Sequence, residues 1–247
     1  DNDVLFDPSF RPMVRSWFET RGYMVKSYEL ENHDIYHKKP VYNFEMHTAL
    51  FSEEAHNKFF QFYISVKNGL HPVAGKKFQY AMTDEDFYVY MVVHIYKHYS
   101  GSGTGLRSLL DLCVYHRAKP DLDRRYLDGE LAKIGILDFE KEMRALALKT
   151  FADQPEPIVF TENEQKILYE LMSNHTYGTM ENAWRNQVKR MQSEGANITP
   201  VVKMKYFLTR LFPNKGHMEK WCKAYAPFLF RNKWLMPVAY IFRIVTV

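Results

Sequence analysis

Asp1, Asp3 and Glu45 are the residues whose types and spacing point to chemistry. On an extended strand, residues i and i+2 share a face. In Asp1-Asn2-Asp3-Val4-Leu5-Phe6 the two aspartates would therefore project together, while Asn2, Val4 and Phe6 point the other way. The later run Val41-Tyr42-Asn43-Phe44-Glu45-Met46-His47 alternates cleanly, with Tyr42, Phe44 and Met46 on an apolar face and Asn43, Glu45 and His47 on a polar one. Neighbouring strands with these patterns would bring three carboxylates to one point. Such a cluster is costly unless a cation neutralises it, and Mg²⁺ held by carboxylates, with substrate phosphates completing its shell, is the usual solution. Two such ions can clamp the attacking and leaving oxygens of a displacement at phosphorus, the geometry of nucleotidyl transfer. Paired aspartates beside an apolar run also serve as turn and capping residues, so the spacing alone does not decide.

The elements between the acids add to the pattern. Asp7-Pro8-Ser9 reads as a turn and helix start, after which Phe10, Met13, Val14, Trp17 and Phe18 recur at helical spacing. Gly22 suits the helix stop. Tyr23 to Leu30 and His33 to Lys39 read as short extended runs before the Glu45 strand. The expected order is strand, helix, strands, and then the strand with the third acid.

That order and those residues resemble the nucleotidyltransferases of the DNA polymerase β superfamily, and more closely its bacterial branch of uncharacterised nucleotidyltransferases. Asp1-Asn2-Asp3-Val4-Leu5-Phe6 matches the Asp-x-Asp strand, Arg21-Gly22-Tyr23 the end of the next helix, and Phe44-Glu45-Met46-His47 with Leu50-Phe51 the third-carboxylate strand. His94-Ile95-Tyr96-Lys97-His98, running into Gly101-Ser102-Gly103-Thr104-Gly105-Leu106-Arg107 and Leu109-Leu110-Asp111, looks like a helical signature of the family. Trp234-Leu235-Met236-Pro237, with Arg243 behind it, resembles a C-terminal segment. The resemblance implies that Asp1 and Asp3 hold two Mg²⁺ ions, with Mn²⁺ as a substitute, and that Glu45 completes the ion activating an acceptor hydroxyl. It implies transfer of a nucleoside monophosphate from an NTP. The acceptor is left open among sugar phosphate, protein, RNA and small molecule. The superfamily also carries a Gly-Ser pair on a helix before its Asp-x-Asp strand; nothing precedes Asp1 here, so the expectation is a fragment lacking that phosphate cradle.

In the light of the resemblance, Lys97 and His98, with His94, face the cleft and meet phosphate or base. The bland alternative is a pair of histidines bonded within a helix. His94 and His98 stand at i and i+4, but neither the Glu of a zinc-protease motif nor a third ligand is evident. Gly101, Gly103 and Gly105 precede a helix beginning near Arg107, so this turn could approach an anion closely or simply join two helices. Arg107 and Asp111, at i and i+4, also suit an ion pair by spacing alone.

Composition sets wider bounds. The 247 residues suffice for one large domain or two modest ones, and 46% hydrophobic with 25% charged residues fits a globular protein. A net charge of +4 neither demands nor excludes nucleic acid. The basic and aromatic C-terminal third, including Lys220, Trp221, Tyr225 and Trp234, suits single-strand contact or ordinary amphipathic helices. Cys113 and Cys222, far apart and without metal spacing, read as free thiols in a reducing, cytoplasmic setting. The apolar run from Trp234 to Phe242 is broken by Pro237 and falls short of the roughly 20 residues that span a bilayer.

The expected fold class is α+β: a small mixed sheet, a junction at 71–82, and helices from Thr83 onward. The domain boundary is drawn as 1–75 for the nucleotidyltransferase-like core and 76–247 for the helical part. Two other readings are kept open. A non-catalytic regulator or antitoxin-like module could use the same fold for binding, and a glycosyltransferase could hold a nucleotide-sugar through Mn²⁺ on Asp-x-Asp.

Overall fold

The computed structural model describes every residue except 1, 154–156, 175–177, 194–196, 198 and 247. The fold is α+β, and the chain forms two compact units, 1–64 together with 198–247, and 65–197. The sequence expectation drew its boundary after residue 75.

The first unit opens with β1 (Asn2–Leu5) and a single 3₁₀ turn over Pro8–Phe10. Asp7 caps this turn: its Oδ1 accepts from the Ser9 amide at 2.9 Å and from the Ser9 hydroxyl at 2.7 Å. Helix α1 (Arg11–Glu19) follows and gives way at Gly22, whose φ of 76° is readily adopted only by glycine. Three strands come next: β2 (Met24–Ser27), β3 (His33–Lys38) and β4 (Tyr42–His47). The four-stranded sheet has the order β1-β4-β3-β2. It is mixed, because β1 runs parallel to β4 while the other neighbours are antiparallel.

Alternation then sorts the side chains. Phe18 of α1, Tyr36 and Met46 form the buried centre of one face, with Phe6, Val14, Tyr23, Val25 and Phe44 packed around them. The Phe18 and Tyr36 rings stack at 4.3 Å. Asp34 shares this apolar face and is completely buried. Arg11, at the start of α1, grips it with both arms, Nε to Oδ2 at 2.7 Å and Nη2 to Oδ1 at 2.8 Å, and the Glu29 amide donates to Oδ1 at 2.8 Å. A fully buried carboxylate is tolerated only with such partners. The pair fastens the N-terminus of α1 to the centre of the sheet.

Helix α2 (Glu53–Tyr63), interrupted by non-helical geometry at His56, completes the N-terminal part of this unit. Near the start of the second unit two short strands pair antiparallel, β5 (His71–Pro72) and β6 (Tyr80–Ala81). Helices follow: α3 (Asp84–Tyr99), α4 (Arg107–Ala118), α5 (Arg124–Ile134), α6 (Leu137–Thr150), α7 (Glu162–Ser173) and α8 (Met180–Ser193). Thr83 caps α3 by accepting from the Asp86 amide, and Thr161 with Glu164 forms a complete capping box on α7. The core contains Tyr88, Val92, Leu109, Leu112, Leu131, Met143 and Leu146. Within it Glu140 is fully buried and accepts from Tyr88 at 2.6 Å, Arg124 at 3.0 Å and Arg144 at 2.8 Å, tying α3, α5 and α6 together.

The chain returns to the first unit with α9 (Pro200–Leu211), α10 (Lys215–Tyr225), α11 (Pro227–Arg231) and α12 (Met236–Thr246). Met218, Cys222, Ala226, Leu229 and Ala239 make their shared core. Among the described residues, no helix is long and apolar enough to cross a membrane.

Candidate metal centre and groove

On the face of the sheet opposite Phe18, the polar positions of three strands meet. Register pairs Asp3 with Glu45 and Leu5 with His47 across β1 and β4, and pairs Glu45 with Ile35 and His47 with His33 across β4 and β3. Directly paired residues on neighbouring strands project to the same side of the pleat. Asp3, Glu45, His47 and His33 therefore share one surface. Asp1, the other expected ligand, lies outside the described residues.

The distances show how the group is held. His47 Nε2 lies 2.9 Å from Asp3 Oδ1 and 3.8 Å from Glu45 Oε2, and His33 Nε2 lies 3.7 Å from that same Glu45 oxygen. The two imidazoles stack, with ring centroids 4.9 Å apart. The Asn32 side-chain nitrogen, which donates to the Ala49 carbonyl at 2.8 Å, faces His47 Nδ1 at 3.5 Å. A donor facing Nδ1 suits an unprotonated Nδ1, which leaves the ring proton on Nε2, where it is donated to Asp3. Burial, together with the neighbouring His47, lowers the His33 pKa, and the Glu45 carboxylate opposes that shift. Neutral imidazole is the form that ligates metals.

Among the described residues, His33, Glu45 and His47 are the group of three potential ligands whose donor atoms all lie within 4.8 Å of one another. Glu45 was expected from its alternation. His33 and His47 were not expected as ligands, although a signal was present. The turn Lys39-Pro40-Val41 pairs Lys38 with Tyr42, and the same register carries His33 opposite His47.

Beside His33 a groove of about 970 Å³ opens within the first unit. Asn32, His33 and Ile35 form one wall, Phe51 and Phe60 another part, and His217, Lys220, Trp221 and Tyr225 of α10 face it. The Trp221 and Tyr225 rings lie 5.7 Å apart. Polar and charged residues, Glu29, Glu31 and Glu53 among them, outnumber the apolar ones along its lining.

The remaining expected site residues belong to the second unit. His94, Lys97 and His98 lie in the last two turns of α3, with His94 Nε2 and His98 Nε2 at 3.2 Å. Gly103 has φ 106°, and a Cβ there would come within 2.5 Å of Asn174 Nδ2. The turn around it is bound to the next helices: Thr179 donates to the Ser102 carbonyl at 2.8 Å, and Asn186 donates to the Tyr99 and Gly101 carbonyls, each at 2.9 Å. Backbone conformation and packing are thus sufficient reason for glycine at 103. Arg107 is exposed and stands 3.9 Å from Asp111.

Comparison with known proteins adds one finding. The family model described as "Uncharacterised nucleotidyltransferase" matches residues 1–152. No curated protein and no solved structure matches the chain.

Proposed function

We propose a reaction from the premise that this chain belongs to the uncharacterised nucleotidyltransferase family: it transfers a nucleoside monophosphate from an NTP to a hydroxyl acceptor. The observation that carries this reading is the pairing of Asp3 with Glu45 on adjacent parallel strands, both on one face of the sheet.

The residues suit a divalent cation. Two carboxylates project side by side, and the ion-pair partners given for them among the described residues are the imidazoles of His33 and His47. Asp3 and Glu45, with Asp1, would hold Mg²⁺. When bound, that ion would supply charge neutralisation for the triphosphate and a lowered pKa for the acceptor hydroxyl. Glu45 then accepts the hydroxyl proton. The acceptor oxygen forms a bond to the α-phosphorus while the bond to the bridging oxygen breaks, and the electron pair leaves with pyrophosphate. The groove beside His33 is the proposed acceptor site, with the Trp221 and Tyr225 rings on its lining.

Pyrophosphate release from each of the four NTPs, measured with Mg²⁺ and a panel of sugar phosphates, RNA and protein hydroxyls, tests the reading. Asp3→Asn should abolish release while leaving the melting temperature nearly unchanged, because the Asp3 side chain is 65% exposed. Equal release by wild type and Asp3→Asn would overturn the assignment of transfer to this face. Binding of NTP without release from any acceptor would favour the regulator instead.

A further inference from the structure

We infer that His33, Glu45 and His47 form a site for a divalent transition ion of the Zn²⁺ type, with imidazole ligands that an Asp-x-Asp and third-carboxylate pattern does not imply. The inference shares Glu45 and Asp3 with the proposed transfer site, but its two imidazole ligands, His33 and His47, belong to it alone.

Two imidazole Nε2 atoms aim at one carboxylate oxygen, at 3.7 and 3.8 Å. Ligand bonds of about 2.0–2.2 Å around a tetrahedral or octahedral ion leave adjacent donor atoms about 3.0–3.5 Å apart. Both Glu45 edges need close by only a few tenths of an ångström, and the remaining edge, between the rings, lies within 4.8 Å. Asp3 Oδ1, already 2.9 Å from His47 Nε2, is placed to supply a second carboxylate oxygen.

Donor chemistry selects the ion. Mg²⁺ prefers oxygen ligands and dehydrates reluctantly, whereas imidazole suits Zn²⁺ and the later first-row ions; Mn²⁺, which itself favours oxygen donors, serves as the EPR-visible probe. The position is also well supported. His33 and His47 sit directly opposite each other in a regular antiparallel pair, so the sheet holds their spacing rather than a loop.

The test uses the full chain, stripped with chelator and titrated with Mn²⁺ alone, without nucleotide. Free Mn²⁺ is followed by EPR, and the bound ion by pulsed EPR sensitive to ¹⁴N. The expected result is bound Mn²⁺ with imidazole ¹⁴N coupling. Affinity should fall at least about tenfold in His33→Ala and in His47→Ala, and Zn²⁺ should displace the ion far below the Mg²⁺ concentration that does so. His33→Gln and His47→Gln, with melting curves, separate loss of a ligand from loss of the fold. If the variants unfold, the ¹⁴N coupling in the wild type decides. Bound Mn²⁺ without ¹⁴N coupling, or displacement by equimolar Mg²⁺, would overturn the inference. Neither result bears on transfer, which is read separately from pyrophosphate release with Mg²⁺ and NTP.

Discussion

His47 Nε2 lies 2.9 Å from Asp3 Oδ1, joining two residues 44 positions apart across the parallel pair β1 and β4. The bond places an imidazole donor against a carboxylate that also stands beside Glu45. Like charges on directly opposed positions destabilise a strand pair. The imidazole proton offsets part of that repulsion, and a cation bound at the same face offsets more.

Arg11→Ala should be among the most destabilising single changes in the first unit. It leaves the fully buried Asp34 without its bidentate partner, and breaking a buried pair in this way costs about 3–5 kcal/mol. Urea denaturation should show a lower midpoint with little change in slope. A loss under about 1 kcal/mol would mean that water or the Glu29 amide satisfies Asp34 unaided.

Glu140 makes stability depend on acid. Burial alone would raise its pKa, but hydrogen bonds from Arg124 and Tyr88, with the charges of Arg124 and Arg144, outweigh burial and lower it. The unfolded chain therefore takes up the proton first as pH falls. The stabilisation is fully present above the ordinary glutamate pKa of about 4.3 and disappears as pH drops through the lower folded value. Glu164, lowered chiefly by Lys149, titrates in the same direction. Melting temperature against pH should fall less steeply on the acid side in Glu140→Gln than in wild type, and the comparison isolates Glu140 from Glu164.

Gly103→Ala should destabilise the second unit by about 1–3 kcal/mol, because φ of 106° is strained for alanine and the new methyl meets Asn174. Asn174→Ala in the same chain should relieve the contact but not the backbone strain. Full recovery by the second change would show that crowding alone decides.

Lys97→Ala tests the sequence expectation that Lys97 meets phosphate. If Lys97 meets phosphate, NTP affinity should drop several-fold with the melting temperature nearly unchanged, because a lost cation beside phosphate weakens binding. A stability loss with unchanged nucleotide affinity would assign Lys97 to the fold of α3 alone. Titrating labelled nucleotide alongside a melting curve distinguishes the outcomes.

Much of the local structure is legible in the residues themselves. Alternation from Tyr42 to His47 sets which side chains share a face, Thr83 and Thr161 mark helix starts, and Gly22 ends α1, because strand and helix periods and cap chemistry act over a few residues. Adjacency was only legible as a condition. Asp3 and Glu45 had to lie on neighbouring strands for their chemistry to work, yet no local signal requires β1 to lie beside β4 rather than at another edge. That choice comes from covering one face of the sheet with Phe18 and α1, which leaves the polar face to gather Asp3, Glu45, His47 and His33. Asp34 shows the limit most plainly. Its neighbours give no sign that it will be buried, and only the tertiary fold brings Arg11 from 23 residues away to make that burial tolerable. The return of 198–247 to the unit of 1–64, which puts Trp221 and Tyr225 on the groove beside His33, is likewise a property of the folded chain, because contacts between distant segments are set by packing and not by the pattern of either segment alone.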